Sequence, residues 1–325
     1  MRKTWCAALG FITFGAIGFA FGAQSADSFP SRSIRLIVPF PPGGLSDGLA
    51  RIIGQALTQQ WGQPVVVDNR PGAGTTLAAD IVAKSPPDGH TLLFQDITTH
   101  GINAGLYSKL PYDARSDFSA IAFASASPLV LTVHPSLPIN STRELVRLAR
   151  ARPGQINYGS SGNGAVLHLA GELFKKLAHV DLVHVPYKGS PPAVTALISG
   201  EVALVFATTG SVIPHMHTGK VRTLAVTTSH RSPLLPELPT LNEFVAGYDL
   251  VLYQGILAPA KTPREVVTKL NAEINSIMSK TASREQWRRL GAEPVIISVD
   301  DAARRFAEEI SKLSRMAVET GAKID

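Results

Sequence analysis

The chain has 325 residues, 45% apolar and 17% charged, with 27 glycines, 23 prolines and one cysteine. This composition supports large apolar cores, excludes disorder, and suits a fold with many strand-to-helix turns better than a helical bundle. The formal charge of +6 comes from 31 basic and 25 acidic residues spread along the chain; no basic run is interleaved with stacking aromatics, which argues against nucleic acid and leaves room for a small anionic ligand.

Arg2 and Lys3 precede an apolar run from Trp5 to Phe21, and small residues Gly22, Ala23, Ser25 and Ala26 follow. Basic, apolar, then small is the order of a secretory signal, so residues 1–26 are expected to be removed on export. The run is short for a bilayer span of about 20 residues. Glycines interrupt it, and no basic stop-transfer cluster follows. Cys6 leaves with the signal. The remaining chain then has no thiol, which excludes disulfides, cysteine zinc sites and cysteine nucleophiles. A bacterial periplasm is the expected compartment.

Ile34–Val38 reads as a strand, closed by Pro39–Gly44, and Leu49, Ile52, Ile53, Ala56 and Leu57 form a helical stripe after it. Asp47 stands where a helix N-cap is expected. Pro64–Val67 and Leu92–Phe94 read as strands with a short helix near Leu77–Ala83 between them, implying a parallel α/β sheet. Leu129–Val133 is extended, and a helix over Thr142–Ala151 is capped by Ser141. A stronger helix over Val166–Leu177 has Asn163 as its expected cap. Leu182–Val185, Val202–Phe206 and Leu224–Val226 read as buried strands. An apolar run over Leu250–Leu257 and long helices at Pro263–Met278 and Asp301–Val318 complete the chain.

Two turns point to chemistry. Pro41-Pro42-Gly43-Gly44-Leu45-Ser46-Asp47 and Tyr158-Gly159-Ser160-Ser161-Gly162-Asn163-Gly164 each head a helix. Glycine lets a ligand approach the backbone, and a helix start supplies free N–H groups and a partial positive charge. Together the turns form an anion clamp; separately each is an ordinary tight turn. Other patterns fail. Gly72-Ala73-Gly74 lacks the third glycine of a dinucleotide fingerprint, and Gly159-Ser160-Ser161-Gly162 misses the nucleophile-elbow spacing by one position. His215 and His217 read as solvated helix histidines rather than metal ligands. His168 reaches the cleft or serves packing, and Lys188 is a ligand cation or a surface residue.

Seven segments in order carry a resemblance: Arg35–Gly44 (RLIVPFPPGG), Val65–Gly74 (VVVDNRPGAG), Pro87-Asp88-Gly89, Tyr107–Tyr112 (YSKLPY), His168–Phe174 (HLAGELF), Val183–Gly189 (VHVPYKG) and Leu257-Ala258-Pro259. From about Pro30 onward the chain resembles the Bug-type extracytoplasmic solute receptors of tripartite tricarboxylate transporters. The resemblance implies an α/β fold of the type II periplasmic binding protein kind. One lobe is residues 27–127 with 252–325 and the other is 128–251, with crossovers near Ser127–Pro128 and Tyr253–Gly255. It implies a carboxylate held through backbone N–H groups and ordered water, with no cofactor, no metal and no catalysis. The implied site is Phe40, Gly43, Gly44, Leu45, Ser46, Asp47 and Thr99 on one side. On the other it is Ser160, Ser161, Gly162, Asn163, Gly164, Ala165, His168, Tyr187 and Thr208.

A monomer that meets membrane permease subunits transiently is the implied assembly. Alternatives are a sensory co-receptor for the same ligands, or a secreted serine hydrolase using Ser161 and a histidine. Leu45 replaces a usually small residue, Ala165 and Val166 stand where hydroxyls are usual, and Ala207-Thr208-Thr209 replaces an acidic pattern. These departures predict a less polar ligand, longer-chain or aromatic, rather than citrate or aspartate.

Overall fold

The computed structural model describes residues 29–321; the predicted signal at 1–26 lies outside the described residues. β1 (Ile34–Val38) pairs in parallel with β2 (Val65–Asn69) and β3 (Thr91–Asp96). A strand flanked on both sides and covered on both faces is largely apolar, which explains the buried Ile34, Leu36, Ile37 and Val38; Arg35 stays partly exposed and pairs with Asp68 of β2. α1 (Leu45–Trp61) lays Leu49, Ile53 and Leu57 on one face of this sheet. α2 (Thr76–Ala83) and α3 (Ile97–Leu106) cover the other. β4 (Phe118–Val133) and β9 (Val251–Pro259) complete the sheet, in the order β2-β1-β3-β9-β4, with β9 antiparallel to both neighbours.

β4 has 16 residues because it serves two sheets. Its Phe118–Pro128 portion pairs with β9, and its Leu129–Val133 portion pairs with β7 (Leu204–Thr208) and β8 (Arg222–Val226). β5 (Asn157–Ser160) and β6 (Val183–Pro186) extend the second sheet in parallel beyond β7. α4 (Thr142–Ala151) and α5 (Val166–Ala178) pack on one face. α6 (Ser190–Ile198) and α7 (Thr209–Met216) pack on the other. The chain returns to the first sheet at Leu250–Val251, just after the Leu250 N–H donates to the Thr227 carbonyl.

Three helices close the chain: α8 (Arg264–Ser279), α9 (Thr281–Arg289) and α10 (Val299–Thr320). Trp287 is fully buried and its Nε1–H donates to the Ala124 carbonyl at 2.8 Å, seating α9 under β4. α10 serves both halves. Its Ala302, Phe306 and Ile310 lie in a core of the first sheet, whereas Leu313 and Ala317 lie in a core of the second. Among the described residues no helix is long and apolar enough to cross a membrane.

The elements differ from expectation in two ways. The strand at Leu182–Val185 is not buried: β6 is an edge strand, and its Val183 is 48% exposed. α3, α6, α7 and α9 are additional to the elements read from the sequence. α3 is buried throughout Ile97–Asn103 and so lacks the polar face that a helical stripe needs. α6 opens on Pro191-Pro192, which fit the first helical turn, and α7 contains Pro214.

Candidate functional site

The first turn is built by its neighbours. Gly44 takes an extended conformation and α1 begins at Leu45, so Asp47 lies inside the first turn and is not the N-cap. Its carboxylate reaches back to accept the Gly43 N–H at 3.0 Å, and it also accepts from Arg51 Nε at 3.0 Å. Asn69, the last residue of β2, donates through Nδ2 to the Phe40 carbonyl at 2.9 Å and to Asp47 Oδ1 at 3.0 Å. Burial alone would raise the Asp47 carboxyl, but the bonds from Arg51, Gly43 and Asn69 overcome it and hold the group below the usual carboxylate range. Gly43 has φ +91°, a conformation that penalises any side chain, and space is open around the Cβ position.

Ser46 is buried, and its Oγ accepts from Gln254 Nε2 at 2.8 Å, a contact between α1 and β9. Gln254 is the register partner of Asp96 on β3 and of Ser125 on β4. Burial pushes the Asp96 carboxyl up to about 6 against the lowering effect of its bonds from Thr99. Thr99 is committed to that cap: its N–H and hydroxyl both donate to Asp96, at 2.9 and 2.8 Å. The expected Thr99 ligand contact therefore has no free hydroxyl.

In the second turn Ala165, not Asn163, is the N-cap of α5, because the helix starts later than expected. Two N–H groups of the predicted clamp are already engaged. Gly162 donates to Ser160 Oγ at 3.1 Å, and Gly164 donates to His168 Nδ1 at 3.2 Å. Ser160 Oγ lies 2.6 Å from His184 Nε2. The His184 ring stacks on His168 at 4.0 Å between centroids and on Tyr158 at 4.9 Å. Burial pushes the His184 imidazole down to about 3, and burial likewise lowers His168, against the pull of Glu172. Both are neutral at pH 7.

What remains free is therefore the first turn of each helix. The earliest helical bond of α1 is from Gly48 N–H to the Gly44 carbonyl, and that of α5 comes from His168 N–H to Ala165. The N–H groups of Leu45, Ser46 and Asp47, and of Val166 and Leu167, precede those bonds and point out of the helix ends. Neither cap residue, Gly44 or Ala165, has a side-chain oxygen to satisfy them. Both helix starts follow parallel strands at their carboxyl ends, where open α/β sheets place ligands. Leu45 packs against the core of the first sheet and also against the core holding Val166 and Leu167.

The other expected residues fall as follows. Gly44, Ser161, Gly162 and Asn163 are half-buried and Gly43 is exposed. Tyr187 turns its hydroxyl to Glu201 at 2.8 Å, and its ring lines a groove of about 550 Å³ with Pro191, Pro192 and Thr195, although its carbonyl stays beside Gly162. Thr208 heads α7, its N–H held by Ser190 Oγ at 3.0 Å and its hydroxyl bonded to Ser211. Lys188 is exposed. Among the described residues no cluster of three metal-ligating side chains forms.

The hydrolase alternative finds no nucleophile here. In this turn the serine bonded to a histidine is Ser160, not Ser161; it is fully buried and already accepts the Gly162 N–H. The nearby carboxylate, Glu172, is bonded by the Tyr158 hydroxyl and Lys175 and does not orient His184 as a base. Asn69, Gln254 and His184 escaped the sequence reading as site-building residues. All three lie within or beside motifs that marked the resemblance, but only the sheet register shows what they hold.

Known proteins show the same frame. BugT of Bordetella pertussis is 36% identical over 304 residues, covering 92% of this chain and 93% of BugT. The structure of Rpa4515 of R. palustris with adipate is 37% identical with a TM-score of 0.85, covering 91% of this chain and 99% of that one. MatC of Rhodopseudomonas palustris with bound malate is 32% identical with a TM-score of 0.81, covering 89% and 100%. The model of the tripartite tricarboxylate transporter family receptor matches residues 49–321. With that match, and with two uncapped helix starts at the carboxyl edges of two sheets, this chain belongs to the family of tripartite tricarboxylate transporter receptors.

Proposed function

We propose that the protein is an exported periplasmic receptor, its signal at 1–26 removed, that captures a small carboxylate between two lobes and delivers it to membrane permease subunits. The lobes are residues 27–127 with 252–325, and 128–251. The exchange of partners along β4 at Pro128–Leu129 and the return at Leu250–Val251 support that division. The observation that carries the reading is the pair of uncapped first turns, Leu45–Asp47 and Val166–Leu167, one on each lobe. Micromolar affinity requires about −8 kcal/mol. Charge-assisted hydrogen bonds contribute about 1.5–3 kcal/mol each, so about four N–H groups suffice before association costs, and no cation is needed.

The ligand is a carboxylate with an aliphatic or otherwise apolar body. Leu45, Ala165 and Val166 favour that class, and Rpa4515 with bound adipate supports it. Calorimetry with adipate and with citrate tests the reading. Adipate binds at least about tenfold more tightly, and Gly43→Val, which strains the first turn, loses about tenfold in affinity or more while the protein remains folded. Equal affinity of Gly43→Val and the parent for adipate, or a preference for citrate, rejects it.

A further inference from the structure

The two motifs HLAGELF and VHVPYKG, far apart in sequence, meet through His168 and His184. His168 accepts the Gly164 N–H through Nδ1, so its own proton sits on Nε2, which lies 4.0 Å from Glu172 Oε1. Ser160 accepts the Gly162 N–H, and its hydroxyl donates to His184 Nε2 at 2.6 Å in preference to the Gly162 carbonyl at 3.4 Å. The second turn thus hangs on two side-chain acceptors, Ser160 Oγ and His168 Nδ1. Only one of these, the imidazole, loses its acceptor lone pair when a proton arrives.

We infer that His168 is a positioning residue whose Nδ1 holds the 162–164 turn in the ligand-binding conformation, and that protonation at this atom releases Gly164 and weakens carboxylate binding. The inference rests on the proposed carboxylate site and names its regulation. A protonated His168 carries N–H on both ring nitrogens. Nδ1–H then faces Gly164 N–H, donor against donor, and the turn must move. The groups that face the ring set the balance. On α5, Glu172 favours the imidazolium and Lys175 opposes it; on β6, His184 stacks on the ring; on β5, the Tyr158 hydroxyl shares Glu172. Tyr248 stands behind α5, with its hydroxyl donating to the Ala170 carbonyl. Ser160 and His184 provide the contrast. A proton on His184 Nε2 reverses the bond to Ser160 without removing the acceptor of Gly162, so that half of the turn survives.

His168→Asn places an amide oxygen near the Nδ1 position and cannot titrate. Adipate affinity is measured by calorimetry over a pH series from 7.5 down through the range in which the His168 ring is seen by NMR to titrate, for the parent protein and His168→Asn; His168→Leu, which has no acceptor, serves as a third arm. The parent loses about tenfold per pH unit below the imidazole pKa, whereas His168→Asn shows only the fall that ligand protonation imposes on both. His168→Leu binds weakly throughout the series. Equal pH dependence in the parent and His168→Asn overturns the inference. A second readout needs no ligand: the Gly164 amide NMR shift in the free parent follows the His168 titration. An amide that stays constant while His168 titrates overturns it equally. Failure of adipate to bind the parent at pH 7.5 counts against the proposed ligand class, and the amide titration still decides the role of His168.

Discussion

At the scale of single residues, Asp47 shows how a chemically apt side chain finds a different job from the expected one. A carboxylate near the helix start was legible from the sequence, but its role was not, because Gly44 takes the extended position and lets Leu45 enter the helix early. Asp47 then faces back over the turn and binds the loop that leads into it. Its partner Asn69 could not be found by spacing, since the two meet only through the pairing of β1 with β2. Asp47→Ala leaves the Gly43 N–H without an acceptor and the Asn69 amide with only the Phe40 carbonyl, and is expected to cost about 1–3 kcal/mol. Arg51 is 53% exposed, so its ion pair with Asp47 adds little to that figure. Thermal denaturation reads the loss as a drop of about 2–4 °C per kcal/mol. Asp47→Asn, which keeps one acceptor, loses less.

Whole elements were legible where they face water on one side. α4 alternates Arg143, Arg147 and Arg150 with buried Leu145 and Ala149, and its Ser141 cap accepts the Glu144 N–H at 3.2 Å. α3 gave no such signal, being enclosed by β9, α5 and α10. Two glycines one turn apart explain how it fits. A Cβ on Gly101 would come within 2.9 Å of Leu313 Cβ, and one on Gly105 would overlap the Ser314 carbonyl. The α3 and α10 backbones therefore touch, and neither can yield to a larger side chain. Gly105→Val is expected to destabilise the protein by about 1–3 kcal/mol or more through overpacking. A urea titration of this variant should show a lower midpoint than the parent, and an unchanged midpoint would disprove close backbone contact.

For the molecule as a whole, buried histidines set the response to acid. Burial pushes His100 down to about 4 and His184 to about 3, and lowers His168 as well. Below a pKa of about 6.5 the unfolded chain takes up protons at these positions that the folded chain refuses, so stability falls as pH drops. Asp96, raised to about 6 by burial, acts in the opposite sense, since its folded form holds the proton more firmly than the unfolded form between pH about 4 and 6. His100 and His184 against Asp96 leave the unfolded chain ahead by roughly one proton near pH 5, and the lowered His168 acts in the same direction. The urea midpoint is therefore expected to decline between pH 7 and 5; a rise would contradict the burial of these rings. α10 has a mechanical consequence of its own. It is about 33 Å long and is rooted in both cores, so the halves cannot part like the covers of a book without uprooting Leu313 and Ala317. For the proposed receptor the expected motion is therefore torsional, each half turning about this rod as about an axle while the spine stays shut.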